Sequence, residues 1–148
     1  MYKIQAPESE QDYADYYELR WRILRAPWGQ ARGSEKDEFE DLSHHVCVKT
    51  DSGEVIGVGR LHTVQPGIAQ IRYMAIDEDF RQTGIGRKIY QYLEDVARKS
   101  DINKIIIDAR INAVGFYEQM GFIITGDGHT LFDVIQHKKM EKKIILIE

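Results

Sequence analysis

Ile71-Arg72-Tyr73-Met74-Ala75-Ile76 and, after four intervening residues, Arg81-Gln82-Thr83-Gly84-Ile85-Gly86 form the stretch that decides how this chain folds. Ile71, Tyr73 and Ala75 alternate with Arg72, Met74 and Ile76, which is the period of a strand. Beyond the glycine pair, Ile85, Ile89, Tyr92, Leu93 and Val96 share one face of a helix that runs to Lys99. A polar break, Lys99-Ser100-Asp101, precedes Lys104-Ile105-Ile106-Ile107-Asp108, whose apolar run suits a strand buried on both faces. Strand, turn, helix, strand is a βαβ crossover. Such units are right-handed and place their ligands at the carboxyl ends of the strands.

The turn between the strand and the helix is suited to phosphate. Gly84 and Gly86 remove side chains where backbone amides approach an anion, and the following helix offers unpaired N–H groups at the positive end of its dipole. Arg81 and Arg87 add flanking charge. A nucleoside-triphosphate loop would need Gly-Lys-Ser/Thr, whereas Gly86 is followed by Arg87-Lys88. A dinucleotide fold would need a third glycine and an acidic residue about twenty positions on, and Asp108 comes too late.

Elsewhere, Ser9 is placed to cap a helix ending near Arg25, with Tyr16, Leu19 and Ile23 on one face, and Pro27 and Gly29 stop it. A surface loop and a short acidic turn around Glu35 to Leu42 follow. Strands are expected at 44 to 49, 54 to 64 and 68 to 76, joined by Thr50-Asp51-Ser52-Gly53 and by Pro66-Gly67. Asn112 opens another helix, which Gly121 can end in a left-handed conformation, and strands near 122 to 126 and 138 to 147 complete the chain.

A second block reads Asn112-Ala113-Val114-Gly115-Phe116-Tyr117-Glu118-Gln119-Met120-Gly121-Phe122. Together with Arg81 through Gly86 and the preceding Met74-Ala75-Ile76-Asp77, it resembles the GNAT superfamily of N-acetyltransferases across residues 40 to 147. The resemblance implies an α/β (α+β) fold with a mixed central sheet of about six to seven strands and flanking helices, the acyl-CoA N-acyltransferase fold. It implies acetyl-CoA as cosubstrate. Gln82, Thr83, Gly84, Ile85, Gly86 and Arg87 would hold the pyrophosphate beside Arg81, and Met74, Ala75 and Ile76 would pair with the pantetheine arm, with Asn112 and Phe116 close by. The slot requires the strand at 104 to 108 to splay away. A backbone N–H near Met74 or Ala75 would stabilise an oxyanion. Ile135, His137 and Met140, with Arg72 ahead of the cofactor strand, are similar to the pattern of an ElaA-like subgroup.

The chain has 148 residues and a net charge of −4, with charges of both signs interspersed, which suits a single domain over residues 1–148 and gives no field that recommends nucleic acid. Cys47, the one cysteine, sits in an apolar run, and no amino-terminal apolar leader or membrane-length segment is present. A reducing, cytoplasmic setting fits. His44-His45 lacks further ligands at metal spacing, so no metal site is expected. Lys138, Lys139, Lys142 and Lys143 read as a solvated sheet edge, and Ile144 to Ile147 could complete the sheet or join a second copy in a homodimer.

Transfer to an amine needs a proton acceptor for the ammonium and a donor for the departing thiolate. Tyr117 is the candidate acid, against the plainer reading of an aromatic packed beside Phe116. Relatives place an acidic base just before the position of Met74, where this chain has Arg72 and Tyr73. His62 and His137 are the candidate bases, with a water chain as an alternative, although each histidine alone is more often structural. Trp21, Trp28 and the loop from Pro27 to Glu38 are expected on the acceptor side. Direct acetyl transfer to a primary amine of a small molecule or peptide is thus the leading expectation. A catalytically idle acyl-CoA-binding module is the rival.

Overall fold

The structure, a computed structural model, describes residues 1–145. Seven strands form one mixed sheet: β1 (Tyr2–Gln5), β2 (His44–Thr50), β3 (Val55–Gln65), β4 (Ile68–Ile76), β5 (Lys104–Arg110), β6 (Ile123–Leu131) and β7 (Ile135–Lys143). Their spatial order is β1-β2-β3-β4-β5-β7-β6. All neighbours are antiparallel except β4 and β5, the pair joined by the crossover. The helices are α1 (Glu10–Leu24), α2 (Ile85–Lys99) and the short α3 (Val114–Gln119).

Helix α1 starts where its chemistry says it should. The Ser9 hydroxyl accepts from Asp12 N at 3.0 Å while the Asp12 carboxylate accepts from the Ser9 and Glu8 amides, a reciprocal cap. Tyr16 and Leu19 then bury against Cys47, Val58 and Ala75 on one face of the sheet. On the other face, α2 lays Ile85, Ile89, Leu93 and Ala97 over β3. It can come close because Gly57 and Gly59 lie beneath: a Cβ there would sit 2.9 and 2.7 Å from Ile89 side-chain atoms.

Several elements differ from the sequence expectation. The edge strand β1 carries no motif, being four residues long. Strands β6 and β7 form a longer hairpin than expected, reversing at Phe132 and Asp133, both with positive φ. Strand β7 lies between β5 and β6 and is not an edge, so the lysine cluster does not guard one. Lys142 instead pairs with Glu94 at 2.6 Å and Lys138 with Asp127. Leu146 and Ile147 of the expected last strand lie outside the described residues. Among the described residues, no helix is long and apolar enough to cross a membrane, and no cluster of His, Cys, Asp and Glu is placed to hold a metal.

Candidate active site

Strands β4 and β5 pair over three positions only, Ile68 with Lys104, Ala69 with Ile105 and Gln70 with Ile106. Beyond Gln70 the facing edge of β4 has no strand beside it, and a cavity of about 400 Å³ opens there. On its other side β4 pairs with β3, and the register slips by one residue between Val58–Ala75 and Arg60–Arg72. Tyr73 takes up the extra residue with φ of +57°, a strained conformation for an aromatic. This bulge bends the strand at the cavity wall.

The glycine turn lies past the end of β4. Gln82 has φ of +62° and Gly84 +85°, and Gly84 is the N-cap of α2 with no side chain closing the helix end. The first helical bond runs from Lys88 N to Gly84 O at 3.2 Å, so the N–H groups of Ile85, Gly86 and Arg87 find no acceptor among the described residues. The Thr83 hydroxyl donates to the Phe80 carbonyl and anchors the turn, while Asp77 accepts from Asp79 N at 2.9 Å and from Arg22 Nη2 at 2.7 Å. Gly86 packs closely on Phe116: a Cβ would lie 3.2 and 3.3 Å from the ring, tighter than most such contacts.

Met74, Ala75, Ile76, Arg81, Asn112, Tyr117 and His137 line the cavity. Gln82 to Arg87 form the turn and helix start beside it, and Phe116 packs under Gly86. Asn112 falls within a 3₁₀ turn, Ile111–Ala113, and no side chain caps α3, so the expected asparagine cap is not formed. Tyr117 is buried, and its hydroxyl lies 3.6 Å from Met74 Sδ. Burial pushes its phenol well above the ordinary range, so it keeps its proton at neutral pH.

His137 is also buried. Its Nδ1 lies 3.1 Å from both the His129 and Ile135 carbonyl oxygens, which can only accept, so Nδ1 carries the hydrogen and Nε2 keeps a lone pair. Burial, together with the His129 ring stacked at 4.3 Å and the Arg110 charge, holds its pKa below the ordinary histidine value. Nε2 is therefore basic and unprotonated at neutral pH. His62 is not among the lining residues. It stacks on Phe39 at 4.9 Å, with Nδ1 accepting from Arg60 Nη2 at 3.1 Å, and burial and Arg60 lower its pKa.

A buried ionic network behind the bulge gave no motif in the sequence. Arg20 and Arg60 are both fully buried. Arg20 donates to Glu40 at 2.9 Å and to the Glu35 carbonyl at 3.0 Å, and Arg60 donates to Asp37 at 2.6 Å and Glu40 at 2.7 Å. Arg72 pairs with Asp37 at 2.9 Å. The network clamps the 35–43 loop onto β3 and α1. Its one sequence signal is Arg60, a charge in the middle of the apolar run Val55–Leu61.

The model of the acetyltransferase (GNAT) family matches residues 13–122. The chain belongs to that family. A relative named an uncharacterized N-acetyltransferase, YjcF, of Bacillus subtilis (strain 168), is 25% identical over 135 residues, 91% of this chain and 95% of that protein. Among solved structures, an acetyltransferase of the GNAT family from Staphylococcus aureus Mu50 superposes with a TM-score of 0.80 at 15% identity, covering 97% of this chain and 99% of the other. An aminoglycoside 6'-N-acetyltransferase complexed with coenzyme A has the same score and identity, covering 99% of each chain. These likenesses establish the GNAT fold.

The wall of this GNAT cavity away from the glycine turn is basic. Arg25, Arg72 and Arg110 line it, and among the described residues Asp108 is the one lining carboxylate. Arg25 Nη1 and Arg110 Nη2 both donate to the Leu24 carbonyl oxygen, at 3.1 and 3.2 Å.

Proposed function

We propose that the chain is an acetyl-CoA-dependent N-acetyltransferase, acting as one domain, that passes the acetyl group directly to a primary amine of a small molecule or peptide. The parting of β4 and β5 beyond Gln70 and Ile106, together with the unpaired amides at the start of α2, carries this reading. The residues present fit the cosubstrate. The amides of Gln82 to Arg87, flanked by Arg81, suit a diphosphate, and the unpaired edge of Ile71–Ile76 suits the amides of an extended arm near Asn112 and Phe116. Bound there, acetyl-CoA supplies an acyl group activated as a thioester.

Tyr117 and His137 divide the proton work in this reading. Tyr117 retains its proton at neutral pH and can give it to a departing thiolate; with so high a pKa its position matters more than its acidity. His137 Nε2 has the free lone pair needed to take a proton from an ammonium before it attacks. His62 stays a second candidate base only through a relay, since it does not line the cavity. Release of free thiol from acetyl-CoA across an amine panel, with the acetylated product weighed by mass spectrometry, tests the proposal. Tight acetyl-CoA binding with no release by any amine would point to the idle binding module instead.

A further inference from the structure

Two of the carboxylates near the cavity are already committed. Glu40 serves Arg20 and Arg60, and Asp37 serves Arg60 and Arg72. Asp108, two residues before Arg110 on β5, is exposed, accepts from Gln70 at 3.5 Å and forms no ion pair with either arginine among the described residues. Arg25 and Arg110 are left without an ion pair among the described residues, although they converge on a single carbonyl oxygen. Arg25 is 7% exposed, its Nε donates to the Ser34 carbonyl at 3.1 Å and the Tyr73 hydroxyl is a further polar neighbour, so its partners among the described residues are neutral oxygens and no carboxylate. Aromatic rings flank it, with Tyr73 and Phe132 each 5.5 Å from the guanidinium carbon.

Two like charges that share one carbonyl acceptor, partly stripped of water, are unfavourable unless an anion joins them. Burial lowers the pKa of both guanidiniums, and for Arg110 the Arg25 charge adds to the effect, the direction expected of cations lacking a counterion. The paired forks match a planar or tetrahedral oxyanion. Both residues line the same cavity as Tyr117 and His137.

We infer that the acceptor amine also carries an oxyanion, a carboxylate or a phosphate, seated on Arg25 and Arg110. This rests on the acetyltransferase reading above and narrows its substrate class. Arg25 and Arg110 are positioning residues: they hold the acceptor so that its nitrogen reaches the acyl group, and take no part in proton transfer.

The test measures thiol release with two matched amine pairs, β-alanine with β-alaninamide and O-phosphoethanolamine with ethanolamine. The wild type should favour the anionic member of at least one pair by about tenfold or more in kcat/KM, mostly through KM, and the pair that shows it tells carboxylate from phosphate. Arg110→Gln, which gives up one recorded hydrogen bond, should bring that ratio close to one. Equal use of both members by the wild type, or a variant that slows both by the same factor, overturns the inference. If no amine is turned over, thermal shifts with β-alanine and O-phosphoethanolamine, on protein with and without saturating CoA, decide instead. A shift lost in Arg110→Gln sustains the anion seat, and no shift overturns it. Calorimetry with CoA separately shows whether the acyl-CoA reading has failed.

Discussion

Gln70 and Ile106 are the last residues that β4 and β5 pair, and the two strands separate directly beyond them. Parallel neighbours joined by a helix normally pair along their length, so the early end of this ladder leaves buried backbone groups in need of partners. The bulge at Tyr73, two residues from the unpaired start, turns the strand where the gap opens.

The Tyr117 hydroxyl lies 3.6 Å from Met74 Sδ in that gap. Replacing Tyr117 with Phe should lower kcat by about 10²-fold while acetyl-CoA affinity stays within about twofold. Steady-state kinetics and calorimetry on the same preparation check both. Loss of affinity equal to the loss of rate would make Tyr117 a packing residue.

Gly84 caps α2 with φ of +85°, and a Cβ there would meet nothing within 4 Å. Gly84→Ala therefore creates no clash and costs backbone strain alone, on the order of 1–2 kcal/mol for a side chain in the left-handed region. If the turn relaxes to escape that strain, its amides lose their alignment. The dissociation constant for CoA should rise by roughly tenfold, read by calorimetry, with the fold intact by circular dichroism.

His137 works as a base only when neutral. Because its folded pKa lies below the ordinary histidine value, the acid limb of kcat/KM should fall below that value too, with activity lost as pH drops through it. His137→Gln should abolish the limb and slow turnover by about 10²-fold. An unchanged acid limb in the variant would assign the proton to another group, such as His62 acting through water.

Asp37 carries a stability prediction. Burial would raise its carboxyl, but the hydrogen bond from Arg60 and the charges of Arg60 and Arg72 outweigh that and hold it at about 2. A depressed carboxyl contributes stability that is complete above its unfolded value, 3.8, and is lost as pH falls toward about 2. Asp37→Asn leaves buried Arg60 short of a counterion and should cost about 3–5 kcal/mol at neutral pH. Urea denaturation of both proteins should show the gap shrinking between those two pH values.

The parts of this fold legible in the sequence are those with local chemistry: the Ser9 cap, the glycine at the Gly53 turn, the crossover and its glycine turn. Each is determined by residues within a few positions of one another. What escaped depends on distant partners. Arg20 looks like a surface charge, and Arg60 a charge in an apolar run with no visible partner, until the loop carrying Asp37 and Glu40 closes over them. The Tyr73 bulge has no glycine to announce it, nor does the Phe132-Asp133 reversal, so β6 reads shorter than it is and β7 reads as starting three residues too late. The basic pair at Arg25 and Arg110 joins residues 85 positions apart through the Leu24 carbonyl, a meeting that no spacing rule reaches.

Isothermal titration of the purified wild-type chain with acetyl-CoA tests the central claim most directly, because it asks only whether the unpaired amides of the glycine turn and the open edge of β4 together make a seat. The account predicts saturable heat at one site per chain, weakened in Gly84→Ala. Absence of any heat of association from a folded preparation would contradict it.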